Sequence, residues 1–460
     1  MHVVRIITLG CAKNDVDSEE IAGVLLKNGY RVDAGAEYSD FTVINTCGFL
    51  EAAKREGVKV IRDAVREKNS GKTGAVIVAG CMVQRHRDSI ERLAPGADAY
   101  VGVGKANEFA DLLAALRGAN GRTEPLLRIP KPHHQWTDGV PRVLSGPPWR
   151  AYLKVSEGCD HRCTFCTIPS FRGTHVSKPL ERVLDEARQL AARGVKEVNL
   201  IAQDVTQYGY DLYRAFMLPT LLRELNGVEG IEWIRLLYFY PNRLTDEVIE
   251  AMRTLDKVLP YIDIPLQHAH GDILRAMKRP WDGERYLRLF ERLRAAMPDC
   301  AIRTTFIVGF PGESEEHFAY LLEWLREARL DRVGAFLFSR EPGTPSYDMP
   351  NQVPARVKRS RYDRLMREQQ RISLQRNQAW VGRSLRVLVE GIGEDGNAFG
   401  RSFRDAPEID GLVYVSEPLP PGAFAEVEVT GAAEYDLFAQ PKPSPFDSPQ
   451  PPTLGTRAGV

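Results

Sequence analysis

The stretch KVSEGCDHRCTFCTIP (154–169) decides the reading of this chain. It places Cys159, Cys163 and Cys166 in one C-x3-C-x2-C loop, directly after the run AYLKVS (151–156), which reads as a strand. In α/β folds, ligands bind at the carboxyl ends of strands, so the loop stands where a site belongs. Three thiolates in one tight loop can hold three irons of a [4Fe–4S] cluster and leave the fourth iron open to a ligand. Structural zinc is the alternative. It takes four closed ligands, and the fourth here would be His161 or a remote residue.

Downstream, further strand patterns cover 197–202, 231–239, 261–266, 301–310 and 332–338, separated by helical patterns such as 178–193, 244–254, 283–297 and 314–329. Six βα units in series fit a closed or partial α/β barrel better than an open sheet. Upstream, VVRIITL (3–9), FTVINT (41–46) and AVIVAG (75–80) alternate with helical patterns, which implies a parallel sheet. Cys11, Cys47 and Cys81 each fall at the end of one of these strands, and each adjoins a glycine: Gly10, Gly48 and Gly80. Strand ends of one parallel sheet lie along one edge, so these three cysteines are expected to converge, with glycine permitting close approach to a bulky ligand. A second three-cysteine cluster with an open iron is the sharper reading. Three independently buried cysteines are the plain one. Cys300 opens a strand without a companion and reads as a core residue.

The 460 residues fit about three domains. We divide them into 1–130, an α/β domain; 145–376, the barrel series with a basic helix pattern at 355–376; 380–440, short strands forming a small all-β barrel; and a Pro-rich, disordered tail at 441–460. The crossing at 125–148 holds six prolines and reads as a linker. Seven cysteines in 460 residues exclude a disulfide scaffold. The N-terminal residues lack a signal-peptide pattern, and no stretch is apolar enough to span a membrane, so a cytoplasmic, reducing setting is expected. With 61 basic and 61 acidic residues, the whole chain is not a polyanion binder.

The C-x3-C-x2-C loop, with Phe165 before its last cysteine, resembles the radical S-adenosylmethionine superfamily. The opening LGCAKNDVDSE (9–19), with Cys47 and Cys81, resembles its methylthiotransferase branch. NLIAQDVTQYG (199–209), IPLQHAHGDILRAMKR (264–279) and TTFIVGFPGE (304–313) are similar to stretches of the same branch. The resemblance extends to about residue 440, where the terminal strands are similar to TRAM domains. Within the branch, GRSFRDAPEIDG (400–411) looks like the members that modify an aspartate of small-subunit ribosomal protein twelve.

This resemblance implies methylthiolation of an aspartate β-carbon, with two [4Fe–4S] clusters and two S-adenosylmethionines, one a methyl donor and one a radical source. It implies that Cys159, Cys163 and Cys166 hold the radical cluster, and that Cys11, Cys47 and Cys81 hold the sulfur-donating one. Phe165, Gln203, Asp204, Gln267, Gly309 and Glu313 match stretches that contact S-adenosylmethionine. Ordinary strand-end polar residues and a tight turn are the plain readings for the last five. Tyr152 reads as core packing, and His268 and His270 as satisfied structural residues. An electron donor and a sulfur source are implied partners.

Local charge bears on the substrate. Residues 380–440 hold four basic and eleven acidic side chains, a net of −7. Nucleic-acid affinity comes mostly from Lys and Arg on phosphates, so this module is a poor grip on tRNA and a suitable partner for a basic ribosomal protein. The pattern at 355–376 is net +6 and reads as a solvated bridging helix, with ribosomal RNA contact the alternative. The rival functions are the same chemistry on a tRNA adenosine, and a non-catalytic iron–sulfur carrier or RNA-binding scaffold.

Overall fold

Strand and helix alternate from the first residues of the computed structural model, which describes residues 1–118, 124–137 and 139–442. The first sheet contains β1 Val3–Thr8, β2 Arg31–Val32, β3 Ser39–Thr46, β4 Thr73–Gly80, β5 Ala99–Val101 and β6 Leu126–Arg128. Its order is β2-β1-β3-β4-β5-β6, and every pair is parallel. Three strands were legible as hydrophobic runs. The other three are two or three residues long, too short for a periodic signal. The edge strand β6 falls in the Pro-rich crossing, so part of that expected linker belongs to the sheet.

Apolar residues cover both faces. Val4, Val43, Ile77 and Ala99 pack on one side with Ile21 and Leu25 of the helix Ala12–Lys27. Ile44, Val76 and Val78 pack on the other with Val58, Ile61 and Ala64 of the helix Glu51–Asn69. Burial on two faces explains why these strands read as continuous apolar runs rather than alternating ones.

The barrel series supplies β7 Arg150–Lys154, the short antiparallel pair β8 Ser156–Glu157 and β9 Val176–Ser177, then β10 Glu197–Ile201, β11 Trp233–Leu236, β12 Tyr261–Asp263, β13 Ala301–Val308 and β14 Arg332–Leu337. The six main strands form two parallel triplets, β11-β10-β7 and β12-β13-β14. Backbone bonds join the triplets: Leu259 N donates to Ile234 O at 3.0 Å and Phe239 N to Asp263 O at 2.8 Å. The result is a partial barrel, as expected. Helices sheathe it through one apolar stripe each. In Leu180–Ala192, Val183, Leu184, Ala187 and Leu190 are buried, the i, i+1, i+4, i+7 spacing of a core-facing helix.

The chain separates into two compact units, residues 1–368 and 369–460. The second unit holds β15 Ser384–Ile392, β16 Ala398–Ser402, β17 Val413–Val415, β18 Phe424–Ala432 and β19 Leu437–Pro441, closed in the order β15-β16-β17-β19-β18. Leu385, Val387 and Val389 on β15 alternate inward to meet Val413, Val427, Val429 and Leu437. Register shifts at Val389/Gly391 and Val429/Gly431 bend the two long strands enough to close the ring. The expected tail lies, from residue 443, outside the described residues. No helix among the described residues is long and apolar enough to cross a membrane.

Candidate active site

The sheet register sets the first cysteine group. Thr8 pairs with Asn45, and Thr46 with Gly80, so Cys11, Cys47 and Cys81 all follow the same edge. Glycine is needed for their approach. A Cβ on Gly10, which has φ +116°, would lie 2.9 Å from Cys47 Cβ. A Cβ on Gly48 would lie 2.7 Å from the Cys81 backbone. Cys11 is exposed, Cys47 half-buried and Cys81 buried. Burial pushes the Cys81 thiol up to about 12 and raises that of Cys47.

The second group is framed by β8, β9 and the short helix Ile168–Arg172. Cys159 N donates to Gly173 O at 3.0 Å, Cys166 N to Cys163 O at 3.1 Å, and Thr164 N to Met277 O at 3.1 Å. Burial pushes the Cys159 and Cys166 thiols up to about 12. All three cysteines line an apolar cavity of about 290 Å³, together with Phe165, Gln203, Tyr238, Tyr240 and Gln267. Phe49 and Leu50, just past Cys47 and Gly48, line the same cavity. The first sheet's edge and the barrel's strand ends therefore share one chamber.

Arg172 joins the two groups. Its Nε donates to Cys81 Sγ at 3.3 Å, Nη1 to Glu157 Oε2 at 2.8 Å, and Nη2 to Asn14 Oδ1 at 2.7 Å and Asp17 Oδ2 at 3.1 Å. It is 4% exposed, so these bonds act at low dielectric. A second tie lies nearby. Arg85 Nη1 donates to Gly48 O at 2.7 Å and Phe49 O at 3.1 Å, while its Nη2 pairs with Glu341 Oε2 at 2.9 Å. This pair fixes the Cys47 loop to the segment after β14.

The sequence-predicted residues distribute unevenly. Gln203 and Gln267 line the cavity, and Gln203 Oε1 is buried without a hydrogen-bond partner. Asp204 is not on the cavity wall. It accepts from Thr206 N at 2.9 Å, His161 Nε2 at 2.7 Å and Arg243 Nη1 at 3.0 Å. It thereby orients His161, which does line the cavity and stacks on Tyr240 at 3.6 Å. Glu313 also stands away from the wall, accepting from Gly309 N at 2.8 Å and from Arg361 Nη1 at 2.8 Å. Gly309, at φ +77°, packs against Lys358. Cys300 is 1% exposed, in the core. Tyr152 is half-buried on β7. His268 is buried and its Nδ1 accepts from His270 N at 2.9 Å. His270, Asp272 and His317 gather near the surface. Each His Nδ1 already accepts a backbone N–H, which leaves a protonated Nε2 unsuited to a metal.

Sequence reasoning missed Arg172, Lys13, Tyr238 and Arg279. Arg279 lies against Cys163 Sγ at 3.9 Å and covers the Tyr240 ring at 4.2 Å. Lys13 places its Nζ 4.0 Å from the Tyr238 ring centre. Burial lowers the Lys13 ammonium from its ordinary range, against the raising influence of Cys11, Glu157 and Asp263. Arg172 has partners up to 158 positions away, and no local pattern announces such contacts.

Three family profiles match separate stretches: the Radical SAM superfamily at residues 153–325, the Uncharacterized protein family UPF0004 at 3–102, and the TRAM domain at 381–441. A ribosomal protein uS12 methylthiotransferase RimO from Moorella thermoacetica is 47% identical over 443 residues, which cover 95% of this chain and 99% of that one. Its counterpart from Symbiobacterium thermophilum is 46% identical over 443 residues, covering 95% and 90%. The chain belongs to the ribosomal protein uS12 methylthiotransferase family. The radical methyltransferase TsrM from Kitasatospora setae, with cobalamin and a [4Fe–4S] cluster bound, shares the fold at TM-score 0.58 and 16% identity, over 75% of this chain and 77% of that one. The expected radical S-adenosylmethionine enzyme with [4Fe–4S] clusters is therefore borne out.

The donor sets fit these groups. Each brings three thiols together, and burial raises those of Cys47, Cys81, Cys159 and Cys166, so that a thiolate there is unfavourable without a cation beside it. Three thiols per cluster leave one iron open to an outside ligand. The unpartnered Gln203 Oε1 offers an acceptor within the same chamber.

Proposed function

We propose that this enzyme methylthiolates the β-carbon of an aspartate in ribosomal protein uS12. The observation that carries the reading is the shared chamber: residues just past Cys47 and the loop of Cys159, Cys163 and Cys166 line one cavity. A hydrogen-abstracting centre and a sulfur-donating centre must reach the same carbon, so they must open onto one space. Relatives whose names specify uS12 support the substrate.

Cys159, Cys163 and Cys166 would hold one cluster, and Cys11, Cys47 and Cys81 the other. When bound, the loop cluster and S-adenosylmethionine supply a 5′-deoxyadenosyl radical, and the edge cluster supplies the sulfur to be methylated and transferred. The chain's own residues bind, orient and exclude water. Phe165, Phe338 and Tyr240 give the cavity its apolar wall. Gln203 and Gln267 would contact S-adenosylmethionine. Asp204 acts through His161, and Glu313 through the Gly309 turn, as positioning residues. Arg172 and Arg85 hold the two halves of the chamber together. An electron donor and a sulfur source complete the reaction, which suits a reducing cytoplasm.

The basic helix supports a protein substrate over an RNA one. Arg361 pairs with Glu313, Arg364 with Glu315, and Lys358 lies over the Phe338 ring, so part of its charge is spent inside the fold. The second unit keeps its excess of carboxylates, and Arg401 there pairs with Glu390.

Anaerobically reconstituted enzyme should hold about eight irons, and a Cys11, Cys47 and Cys81 triple alanine variant about half. Mass spectrometry of cells lacking the chain should show uS12 without its methylthio group and tRNA unchanged. Loss of the tRNA mark with uS12 intact would refute the substrate; full iron in the triple variant would refute the second cluster.

A further inference from the structure

We infer that Lys13 is the residue that recognises the substrate carboxylate, and so selects aspartate over uncharged side chains. The inference rests on the proposed aspartate substrate.

Lys13 is the second residue of the helix Ala12–Lys27, two positions past Cys11. Its side chain is 7% exposed, and its Nζ lies 4.0 Å above the ring of Tyr238, which lines the shared cavity. Buried lysines are normally paired with a carboxylate. Lys13 is not: no carboxylate lies within ion-pairing distance of it among the described residues, although Glu157 and Asp263 stand in its neighbourhood.

Both are already engaged, as is Asp17 on the same helix. Asp263 accepts from Tyr238 N at 3.0 Å and from Arg303 Nη1 at 2.8 Å. Glu157 accepts from Arg172 Nη1 at 2.8 Å. Asp17 takes Lys154 at 2.5 Å and Arg172 at 3.1 Å. Arg172 and Lys154 therefore have carboxylate counter-ions within the chain, while Arg279, on the cavity wall, bonds Pro265 O and lies against Cys163 Sγ on the side of the Cys159 loop. The ammonium of Lys13 rests on a ring face, an interaction that attracts a cation without giving it a hydrogen-bond acceptor. A carboxylate entering beside Tyr238 would supply that acceptor.

Two carboxylates can enter this chamber: that of the substrate and that of S-adenosylmethionine. Position favours the substrate. Lys13 belongs to the strand-end edge of Cys11, where sulfur would be delivered, and not to the Cys159 loop. The aspartate carboxylate is bonded directly to its β-carbon, so holding one fixes the other near the edge that must supply sulfur.

The test uses the full-length reconstituted enzyme and two uS12 peptides spanning the modified position, one with its aspartate and one with asparagine there. Wild type should bind the aspartate peptide 10- to 100-fold more tightly than the asparagine peptide, as expected for a charge-assisted contact. Lys13→Gln should abolish that preference, raise KM for the aspartate peptide by a similar factor, and leave iron content and the Kd for S-adenosylmethionine unchanged. Lys13→Arg should restore part of the preference. Equal binding of the two peptides by wild type would overturn the inference without recourse to any variant. So would a Lys13→Gln enzyme with wild-type KM, or one that loses S-adenosylmethionine affinity instead. Wild-type enzyme that leaves uS12 itself unmodified would refute the proposed function, a different outcome from each of these.

Discussion

Arg142 offers a quantitative test of how the first unit is held together. It lies in the Pro-rich crossing and is 7% exposed. Its Nε donates to Glu19 Oε2 at 2.6 Å and its Nη1 to Glu186 Oε1 at 2.8 Å. Glu19 belongs to the helix Ala12–Lys27 and Glu186 to the helix Leu180–Ala192, so one guanidinium ties the first sheet's layer to the barrel's. Arg142→Met keeps most of the side-chain volume and removes the charge. It leaves Glu19 with only Ser145, and Glu186 with only Lys178. Breaking a buried pair from one side costs about 3–5 kcal/mol. Burial alone would raise the Glu186 carboxyl, but Lys178 and Arg142 outweigh it and hold the group at about 2. A depressed carboxyl stabilises the fold above its unfolded value of 4.5 and loses that contribution as pH falls toward 2. The penalty should thus be full at pH 7 and shrink below pH 4.5. Urea unfolding followed by tryptophan fluorescence measures it as a lower midpoint at unchanged slope. A penalty under about 1 kcal/mol at pH 7, the size expected for the exposed Asp63–Arg66 pair, would refute the reasoning.

Four other outcomes can be checked directly. Gln203→Leu should weaken S-adenosylmethionine binding about tenfold in equilibrium dialysis, with no loss of thermal stability, because Gln203 Oε1 has no partner within the chain. A Cys163→Ala enzyme, reduced and given S-adenosylmethionine, should release no 5′-deoxyadenosine; release at the wild-type rate would exclude the loop from the radical step. Burial holds the His268 imidazole at about 3, so it destabilises the fold as pH drops below about 6.5. His268→Asn should flatten the stability–pH slope between pH 6 and 4 by up to about 1.4 kcal/mol per unit. Gly411→Ala should lower the melting temperature of the second unit, since its Cβ would fall 1.9 Å from Tyr435 O.

Much of this architecture was legible in the chain. The six cysteines stood at strand ends because strand runs and glycines marked those ends, and a parallel sheet has one such edge. The barrel's strands were legible because helical patterns with apolar stripes separate them, such as Leu180–Ala192, Asp246–Thr254, Gly283–Ala296 and Glu315–Ala328, whereas the helix after β14 is basic. What stayed hidden depends on long-range contact. Arg172 gives no sign in FRG that it will reach Asn14, and Lys13 no sign that it will lie over Tyr238. Asp204 and Glu313 were visible as polar strand-end residues, but sequence cannot say whether such a group faces the cavity or braces a neighbour. Here Asp204 braces His161, and Glu313 braces the Gly309 turn. The short strands β2, β5 and β6 owe their existence to pairing partners rather than to their own composition.

The ring order of the second unit has a consequence for recognition. With β15 bonded to both β16 and β18, and β19 closing between β17 and β18, no strand among the described residues of this unit has an unpaired edge. A visiting peptide cannot extend such a sheet, so main-chain zippering is closed to this unit. Whatever it meets must be held by loops and side chains, among them the exposed rings of Tyr414 and Phe438, which stack 5.9 Å apart on adjacent strands. Selectivity there is written in side-chain identity, and single substitutions can rewrite it without disturbing the ring.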